Sequence, residues 1–168
     1  MRLKIIISTG VLMLNSSLAM ALDLEKLPKL GNMTGKSLLD KVNQSLAEQQ
    51  IKDGQFEFKT GKAEFAPGND KRVKGLLKVL TENSKGLKTA FPNLHVTAEG
   101  HTDADGSAQT NQKLSQARAD KVCAELKAKG MKLPCVPGGV GSGKPLVSPE
   151  KSAADKQKNR RVLVQVAK

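Results

Sequence analysis

Asp103 and Arg118 have the residue types and the spacing to bind a ligand that carries both charges. Asp103 comes directly after a segment with the alternation of a half-buried strand, so we expect it at the end of that strand. Arg118 interrupts an apolar file at four-residue spacing, formed by Leu114, Val122 and Leu126. Its guanidinium either extends to water or points to the strand end, where Asp103 is the nearest acid. An acid and a guanidinium at the edge of one binding site would suit a zwitterion. The ammonium of the ligand would pair with the acid, and its carboxylate would pair with the arginine.

A strand and a helix must position this pair. The strand is predicted at residues 94–99, where apolar and polar side chains alternate, and Gly100 ends it. The Asp-Gly pair at residues 105–106 is typical of a turn. The helix then runs to about Gly130, a residue type that is common just past a helix C-terminus.

Further elements complete the predicted fold. An amphipathic helix is predicted at residues 37–50, and residues 55–60 alternate as a strand. A second helix begins with Asn69 or Asp70 as its N-cap, and residues 161–168 form a final strand. Strands and helices alternate along the chain in two crossover units. This order predicts an α+β fold, arranged as an α/β sandwich whose helices cover one face of the sheet.

Many spaced positions resemble the OmpA-like peptidoglycan-binding domain over about residues 55–168. These positions are Gly100-His101-Thr102-Asp103, Gly106, Asn111, Leu114-Ser115, Arg118-Ala119, Val122, Leu126, Gly130, Gly141, Gly143, Pro145 and Asn159-Arg160-Arg161-Val162. The resemblance implies a βαβαββ domain with a mixed sheet. It also implies that Asp103 of the Gly-His-Thr-Asp motif and Arg118 of the Leu-Ser-x-x-Arg-Ala motif bind diaminopimelate in the stem peptide of peptidoglycan.

The same resemblance suggests residues around this pair. Thr102 and Asn111 are expected in the surrounding shell. The basic residues of the Asn159-Arg160-Arg161 motif lie beside the ligand site in the family, so either arginine could reach a ligand carboxylate. We include Arg161 in the predicted site, while a solvated pair at the sheet edge is an equally good interpretation of the two arginines.

The N-terminal region has the pattern of an export signal. Residues 1–21 combine a basic start, an apolar core and an Ala-Met-Ala cleavage site. We therefore predict three regions: a signal peptide at 1–21, a lead-in with an amphipathic helix at 22–54, and the OmpA-like domain at 55–168. The expected location is the periplasm, with association with the outer membrane as an option. A helix at residues 37–50 that did not pack on the domain could dock onto a partner or dimerise.

Charge and composition narrow the class of partner. Removing residues 1–21 leaves 26 basic against 16 acidic residues and a net charge of +10, which favours anionic partners such as cell-wall polymer. The chain has four phenylalanines and no tyrosine or tryptophan, so it lacks the stacking surfaces of a single-strand nucleic-acid binder. No specific nucleic acid and no transmembrane segment are expected.

Cys123 and Cys135 are the two cysteines of the chain. An even number of cysteines in an exported protein favours a disulfide. Cys123 falls on the long helix and Cys135 at the next strand, which would pack against that helix. We therefore predict a bridge between them and no reactive thiol.

Nucleotide binding, metal binding and catalysis are each disfavoured. Residues 138–144 have the G-x-x-x-x-G-K spacing of a phosphate-binding loop, but Pro145 stands where a hydroxyl residue is needed for magnesium. The two histidines, His95 and His101, make a poor zinc set, and no cofactor is expected. His101 is predicted to hold the strand end by hydrogen bonds instead.

The predicted function is therefore non-catalytic binding of peptidoglycan in the bacterial cell envelope. The diaminopimelate carboxylate would pair with Arg118 and its ammonium with Asp103. Such a protein would anchor or link to the cell wall. The alternative is a periplasmic adaptor whose main target is another envelope protein, contacted through the N-terminal helix.

Overall fold

The structure is a computed structural model that describes residues 34–59 and 61–168. The predicted signal peptide at residues 1–21 and the lead-in up to residue 33 lie outside the described residues. Within the described ranges, no helix combines the length and the apolar composition needed to cross a lipid bilayer.

A mixed sheet of three strands lies at the centre of the described chain. Its middle strand, β1 (His95–His101), is parallel to β2 (Cys135–Gly141) and antiparallel to β3 (Val162–Ala167). Ala98 of β1 lies opposite Val164 of β3, and both side chains are buried in the core. The predicted α+β fold with a mixed sheet is confirmed.

Helices cover the buried face of this sheet. The four helices of the described ranges are α1 (Gly35–Asp53), α2 (Asn69–Ala90), α3 (Ala108–Ala128) and α4 (Ala153–Asn159). Helix α3 packs on β1 and β2 and buries Val122 and Leu126, whereas α1 packs on α2 and β3 and buries Val42 and Leu46. The apolar face of α1 is therefore part of the core and is not available as a docking stripe.

Two amide side chains of α1 also bind the outer edge of β3. Asn43 donates to the Val166 carbonyl at 3.0 Å and accepts from the Val166 N–H at 2.8 Å. Gln50 makes the same pair of bonds with Val164, at 3.0 Å and 2.8 Å. An edge strand exposes unpaired backbone groups. The two amides satisfy these groups as a fourth strand would.

The strand predicted at residues 55–60 does not join the sheet. Among the described residues of this segment, Phe58 forms an isolated antiparallel bridge with Phe65. The Lys59 N–H donates to the Glu64 carbonyl at 2.9 Å, so the segment pairs with the chain that follows it. The alternation of Phe56 and Phe58 therefore builds a small hairpin because a local turn supplies the partner. The helix after it begins at Asn69 with Gly68 as its N-cap, and the predicted caps Asn69 and Asp70 lie inside the helix.

The predicted disulfide is present in the structure. It joins Cys123 on α3 to Cys135 at the start of β2, with 5.7 Å between the Cα atoms. The glycine-rich residues 138–144 do not form a phosphate-binding loop between a strand and a helix. Residues up to Gly141 instead continue as strand β2, which is parallel to β1 over this length.

Candidate functional site

Glycines bring helix α3 close to the ends of β1 and β2. A Cβ atom on Gly100 would collide with the Ser115 carbonyl oxygen, which is backbone and cannot move aside. A Cβ on Gly139 would lie 2.9 Å from the Gln112 carbonyl oxygen and 2.7 Å from the Ser115 hydroxyl. The Ser115 hydroxyl accepts from the Gly141 N–H at 2.9 Å and donates to Gln112. This close packing fixes Arg118, three residues further along α3, relative to the loop that follows β1.

Asp103 stands in that loop and forms an ion pair. Its Oδ2 accepts from Nη1 of Arg160 at 2.6 Å, and its Oδ1 accepts from the Asp105 N–H at 3.3 Å. The Asp103 side chain is 13% exposed and that of Arg160 is 34% exposed. The partner of the predicted acid is thus an arginine from the end of α4.

Arg118 is buried, with only 3% of its surface exposed. Its Nε donates to the Lys62 carbonyl at 3.2 Å, and its guanidinium carbon lies 5.0 Å from the centre of the Phe58 ring. Burial is the main cause that lowers its pKa; the positive charge of Arg160 lowers it further, while Asp103 opposes the shift. Within residues 34–59 and 61–168, no acceptor bonds to its two terminal nitrogens. These nitrogens could therefore bind a ligand carboxylate.

Thr102 and Asn111 support the loop from inside. The Thr102 N–H donates to the Gly141 carbonyl at 2.9 Å, and its buried hydroxyl has no partner among the described residues. The buried Asn111 amide donates to the carbonyl oxygens of Asp103 at 3.4 Å and Asp105 at 2.9 Å. Both residues fix the backbone that carries Asp103.

Arg161, which was predicted to join the site, makes no hydrogen bond to Asp103 or Arg118 within the described chain. Its Nη2 donates to the Lys144 carbonyl at 3.0 Å, and burial lowers its pKa. Arg160 reaches Asp103 instead. Strand alternation does not distinguish the two arginines, because Arg160 caps the C-terminus of α4 and Arg161 precedes β3.

His101 was predicted to hold the strand end by hydrogen bonds, but its ring makes none within the described chain. The ring is 1% exposed, and neither nitrogen makes a hydrogen bond within the described chain. Its Nε2 lies 3.2 Å from Oε1 of Glu99, but out of line for a hydrogen bond. Burial, aided by the charge of Arg161, lowers the pKa of His101 to about 4 against the opposing pull of Glu99. The backbone N–H of His101 makes the bond, to the Arg161 carbonyl at 2.8 Å.

Comparison with known proteins identifies the family. The model of the OmpA family matches residues 57–160, more than half of the chain, and this range contains Asp103, Arg118 and Arg160. The chain belongs to the OmpA family. Membership agrees with the α+β fold and its mixed sheet.

Individual relatives agree with this assignment to the OmpA family. Over 117 residues, the chain is 34% identical to the outer-membrane lipoprotein YfiB of Pseudomonas aeruginosa, covering 68% of each protein. It is 31% identical over 108 residues to the probable lipoprotein YiaD of Escherichia coli, covering 64% of this chain and 45% of that protein. The chain thus spans less than half the length of this second relative. The solved cell wall anchor of the T6SS from Pseudomonas aeruginosa has the same fold, with a TM-score of 0.54 at 21% identity over 75% of this chain and 95% of that one.

Proposed function

We propose that this protein binds peptidoglycan without catalysis, through the diaminopimelate of the stem peptide. The observation that carries the proposal is the buried guanidinium of Arg118. Its inner nitrogen is held by the Lys62 carbonyl, and within the described chain its terminal nitrogens lack an acceptor. A carboxylate placed there would supply the missing acceptor in a low-dielectric setting, where such a bond is strong.

The geometry favours a ligand with two kinds of charged group. The diaminopimelate carboxylate would lie on Arg118 and its ammonium toward Asp103, which is the acid that acts on Arg118. A hydrogen bond to a charged group contributes about 1.5–3 kcal/mol. Losing such a bond should therefore weaken binding by roughly one to two orders of magnitude.

The relatives support a role in the cell envelope. One is named an outer-membrane lipoprotein, and a protein of the same fold is described as a cell wall anchor. We therefore place the protein in the periplasm, where it would link the wall to other envelope components. Catalysis is not part of the proposal, because His101 is buried and uncharged at neutral pH and lies outside the acid–arginine cluster.

Calorimetric titration with two stem peptides tests the proposal. One peptide carries diaminopimelate, and the other carries lysine, which has the same ammonium but lacks the side-chain carboxylate. We expect selective binding of the first peptide, and roughly tenfold or greater weakening in both Asp103→Ala and Arg118→Lys. Arg118→Lys keeps the charge and loses the planar fork. The exposed Lys113→Gln on the same helix is the control for charge and should leave affinity unchanged.

Equal affinity for the two peptides, or none for either, would contradict the proposal. Thermal unfolding of each variant separates lost binding from lost folding, which matters because Arg118 is buried. Binding to purified cell-wall sacculi that survives Asp103→Ala would instead favour an adaptor whose main target is another envelope protein.

A further inference from the structure

We infer that an open cleft between the end of α1 and the start of α2 binds the phosphate groups of an anionic lipid surface. This lysine cleft has a volume of about 500 Å³ and is lined by Lys52, Lys71, Lys74 and Lys78 around Gln49 and Asp53. The inference goes beyond the proposed function, because it concerns a second surface and a partner other than peptidoglycan. It does not depend on the diaminopimelate site.

Asp53 is the one acid among the residues that line the lysine cleft, and it already has partners. Its side chain is only 4% exposed, and its Oδ1 lies 3.3 Å from Nζ of Lys71. Its Oδ2 accepts from the amide of Gln49. Gly75 of α2 leaves room for these two side chains, because a Cβ at this position would collide with both. The carboxylate is thus occupied and has no further partner to offer the other lysines.

The remaining three lysines of the cleft have no acidic partner. Within residues 34–59 and 61–168, Lys71 alone of the four has a carboxylate within 4.0 Å. Lys52, Lys74 and Lys78 are exposed. Three ammonium groups around one cleft without counter-charges attract an anion.

Other acids near the lysine cleft do not neutralise it. Glu57 accepts from Nη2 of Arg72 at 2.6 Å, which also occupies the arginine of α2. Glu48 and Glu82 border the next depression between the two helices, which Lys52 also lines. Neither of these two acids lies within 4.0 Å of a lysine in the described part of the chain. The charge of the cleft therefore stays unpaired in the folded protein.

The arrangement of the lysines fits an extended surface better than one small anion. Lys71, Lys74, Lys78 and Lys85 recur at helical spacing, so they lie along one exposed face of α2. Fourteen residues of helix extend over about 21 Å. Lysines are point charges on flexible stems, whereas an arginine fork fixes the geometry of a single phosphate. A row of lysines can contact many phosphate groups that lie in one plane.

An apolar side chain beside the cleft favours lipid over dissolved phosphate. Ile51 precedes Lys52 and exposes 82% of its surface. Where cations and an apolar side chain occur together on a helix, the apolar group can enter the boundary between lipid headgroups and acyl chains. Dissolved phosphate offers no such environment. We therefore assign the phosphate groups to the headgroups of a lipid surface.

Co-sedimentation with lipid vesicles tests the lysine cleft. One set of vesicles contains phosphatidylcholine alone, and the other contains phosphatidylcholine mixed with anionic phosphatidylglycerol. The chain used begins at residue 22, which retains every described residue and removes the apolar core of the predicted signal peptide. We expect binding to the anionic vesicles to be about tenfold tighter or more, and to weaken as salt is added.

A triple variant isolates the lysine cleft. Each lysine near an anionic surface strengthens binding by about fivefold. The variant with Lys52→Gln, Lys74→Gln and Lys78→Gln should therefore bind anionic vesicles about tenfold more weakly or worse. Ile51→Ser should weaken binding by about threefold, since it removes the apolar contact. Inorganic phosphate should release no more protein from the vesicles than chloride does at the same ionic strength.

A matched triple variant controls for net charge. It removes the same number of exposed lysines outside α1 and α2 and should weaken vesicle binding by less than about threefold; the changes are Lys113→Gln, Lys127→Gln and Lys132→Gln. Thermal unfolding of both triple variants should match the wild type, because all six side chains are exposed. Affinity for the diaminopimelate peptide should stay unchanged in the variant of the lysine cleft.

Several results would overturn the inference. The protein could bind both kinds of vesicle equally, or the variant of the lysine cleft could bind anionic vesicles as the wild type does. The matched variant could lose as much binding, or phosphate could release the protein where chloride does not. Loss of the diaminopimelate peptide with unchanged vesicle binding would assign the cleft to the wall instead. Failure of the wild-type protein to bind that peptide would contradict the proposed function and leave this inference in place.

Discussion

Asn111 positions Asp103, a residue of the proposed site, through hydrogen bonds to the backbone. Its buried amide donates to the carbonyl oxygens of Asp103 and Asp105, which define the loop after β1. Because no other described side chain holds these two carbonyls together, the position of the Asp103 carboxylate depends on this amide.

Replacing this amide gives the first prediction. Asn111→Ala should cost about 1–3 kcal/mol of stability, since it removes the two hydrogen bonds that a buried amide donates to the loop. It should also weaken binding of the diaminopimelate peptide, because Asp103 and Arg160 lose their fixed geometry. Urea unfolding and calorimetry measure the two effects. Lys113→Ala, an exposed position on the same helix, is the control, and an Asn111→Ala variant with wild-type stability would contradict the argument.

His101 gives a prediction about pH. Its pKa is lowered to about 4 in the folded protein, against 6.5 as the ordinary value, because the ring is buried. The unfolded chain therefore binds more protons between these two values, and stability falls as the pH decreases from about 6.5 toward 4. The full effect is about 3 kcal/mol. It is complete when the pH has fallen to the folded-state value.

Urea unfolding between pH 7.5 and pH 4 measures this loss. His101→Gln should remove most of it, whereas His95→Gln, which changes the other histidine of the chain, should retain it. A free energy of unfolding that stays constant over this interval in the wild-type protein would contradict the prediction. It would show that the His101 ring has the same pKa in the folded and the unfolded protein. Nuclear magnetic resonance of the His101 ring would locate the titration directly.

At the scale of elements, the contact between α3 and the sheet depends on individual glycines. Gly138 and Gly139 are neighbours in β2, yet a Cβ on Gly138 meets nothing within 4 Å and a Cβ on Gly139 meets α3. Gly139→Ala should therefore push α3 away from the strand and destabilise the protein by about 1–3 kcal/mol, in the range of overpacked cores. Gly138→Ala should change stability by less than about 0.5 kcal/mol. Urea unfolding compares the two, and equal effects would contradict the close approach.

The amides of α1 give a second prediction at this scale. Gln50→Leu removes both hydrogen bonds to Val164 and should lower the free energy of unfolding by about 1–3 kcal/mol. The N–H and carbonyl of Val164 would then lie at a partly buried sheet edge without partners. Asn43→Leu should act in the same way at Val166. Gln44→Leu is a matched control, since the Gln44 amide bonds within its own helix to Glu48. A loss of stability in Gln44→Leu as large as in Gln50→Leu would assign the effect to the helix alone.

The elements also show what periodicity can and cannot predict. Helices and strands with one clear apolar face were predicted within a few residues, because burial imposes the period directly. The segment at residues 55–60 has the period of a strand, but the period does not specify which chain pairs with it. The choice between Arg160 and Arg161 could not be made from strand alternation, because both residues precede β3. The pairing of Asp103 with Arg160 was beyond prediction, because it joins residues 57 positions apart through the packing of three elements.

At the scale of the whole molecule, the disulfide links the long helix to the sheet. Cys123 and Cys135 enclose a short loop, and the chain-entropy model gives about 3 kcal/mol for such a bridge. Reduction should therefore lower the urea midpoint of the wild-type protein. The double variant Cys123→Ala, Cys135→Ala should show the lower midpoint with or without reductant. Titration of two free thiols in the unreduced protein would contradict the bridge.

Because α1 packs on β3, the folded unit and the match to the OmpA family begin at different residues. The match to the OmpA family begins at residue 57, after α1 has ended, and contains the whole of the proposed site. The folded unit begins earlier, because Asn43 and Gln50 satisfy the outer edge of the sheet. A fragment that starts at residue 57 would keep every residue of the proposed site and expose an open strand, which is a template for pairing with other chains. The stretch of chain proposed to recognise the cell wall is therefore shorter than the stretch that keeps one molecule from joining another.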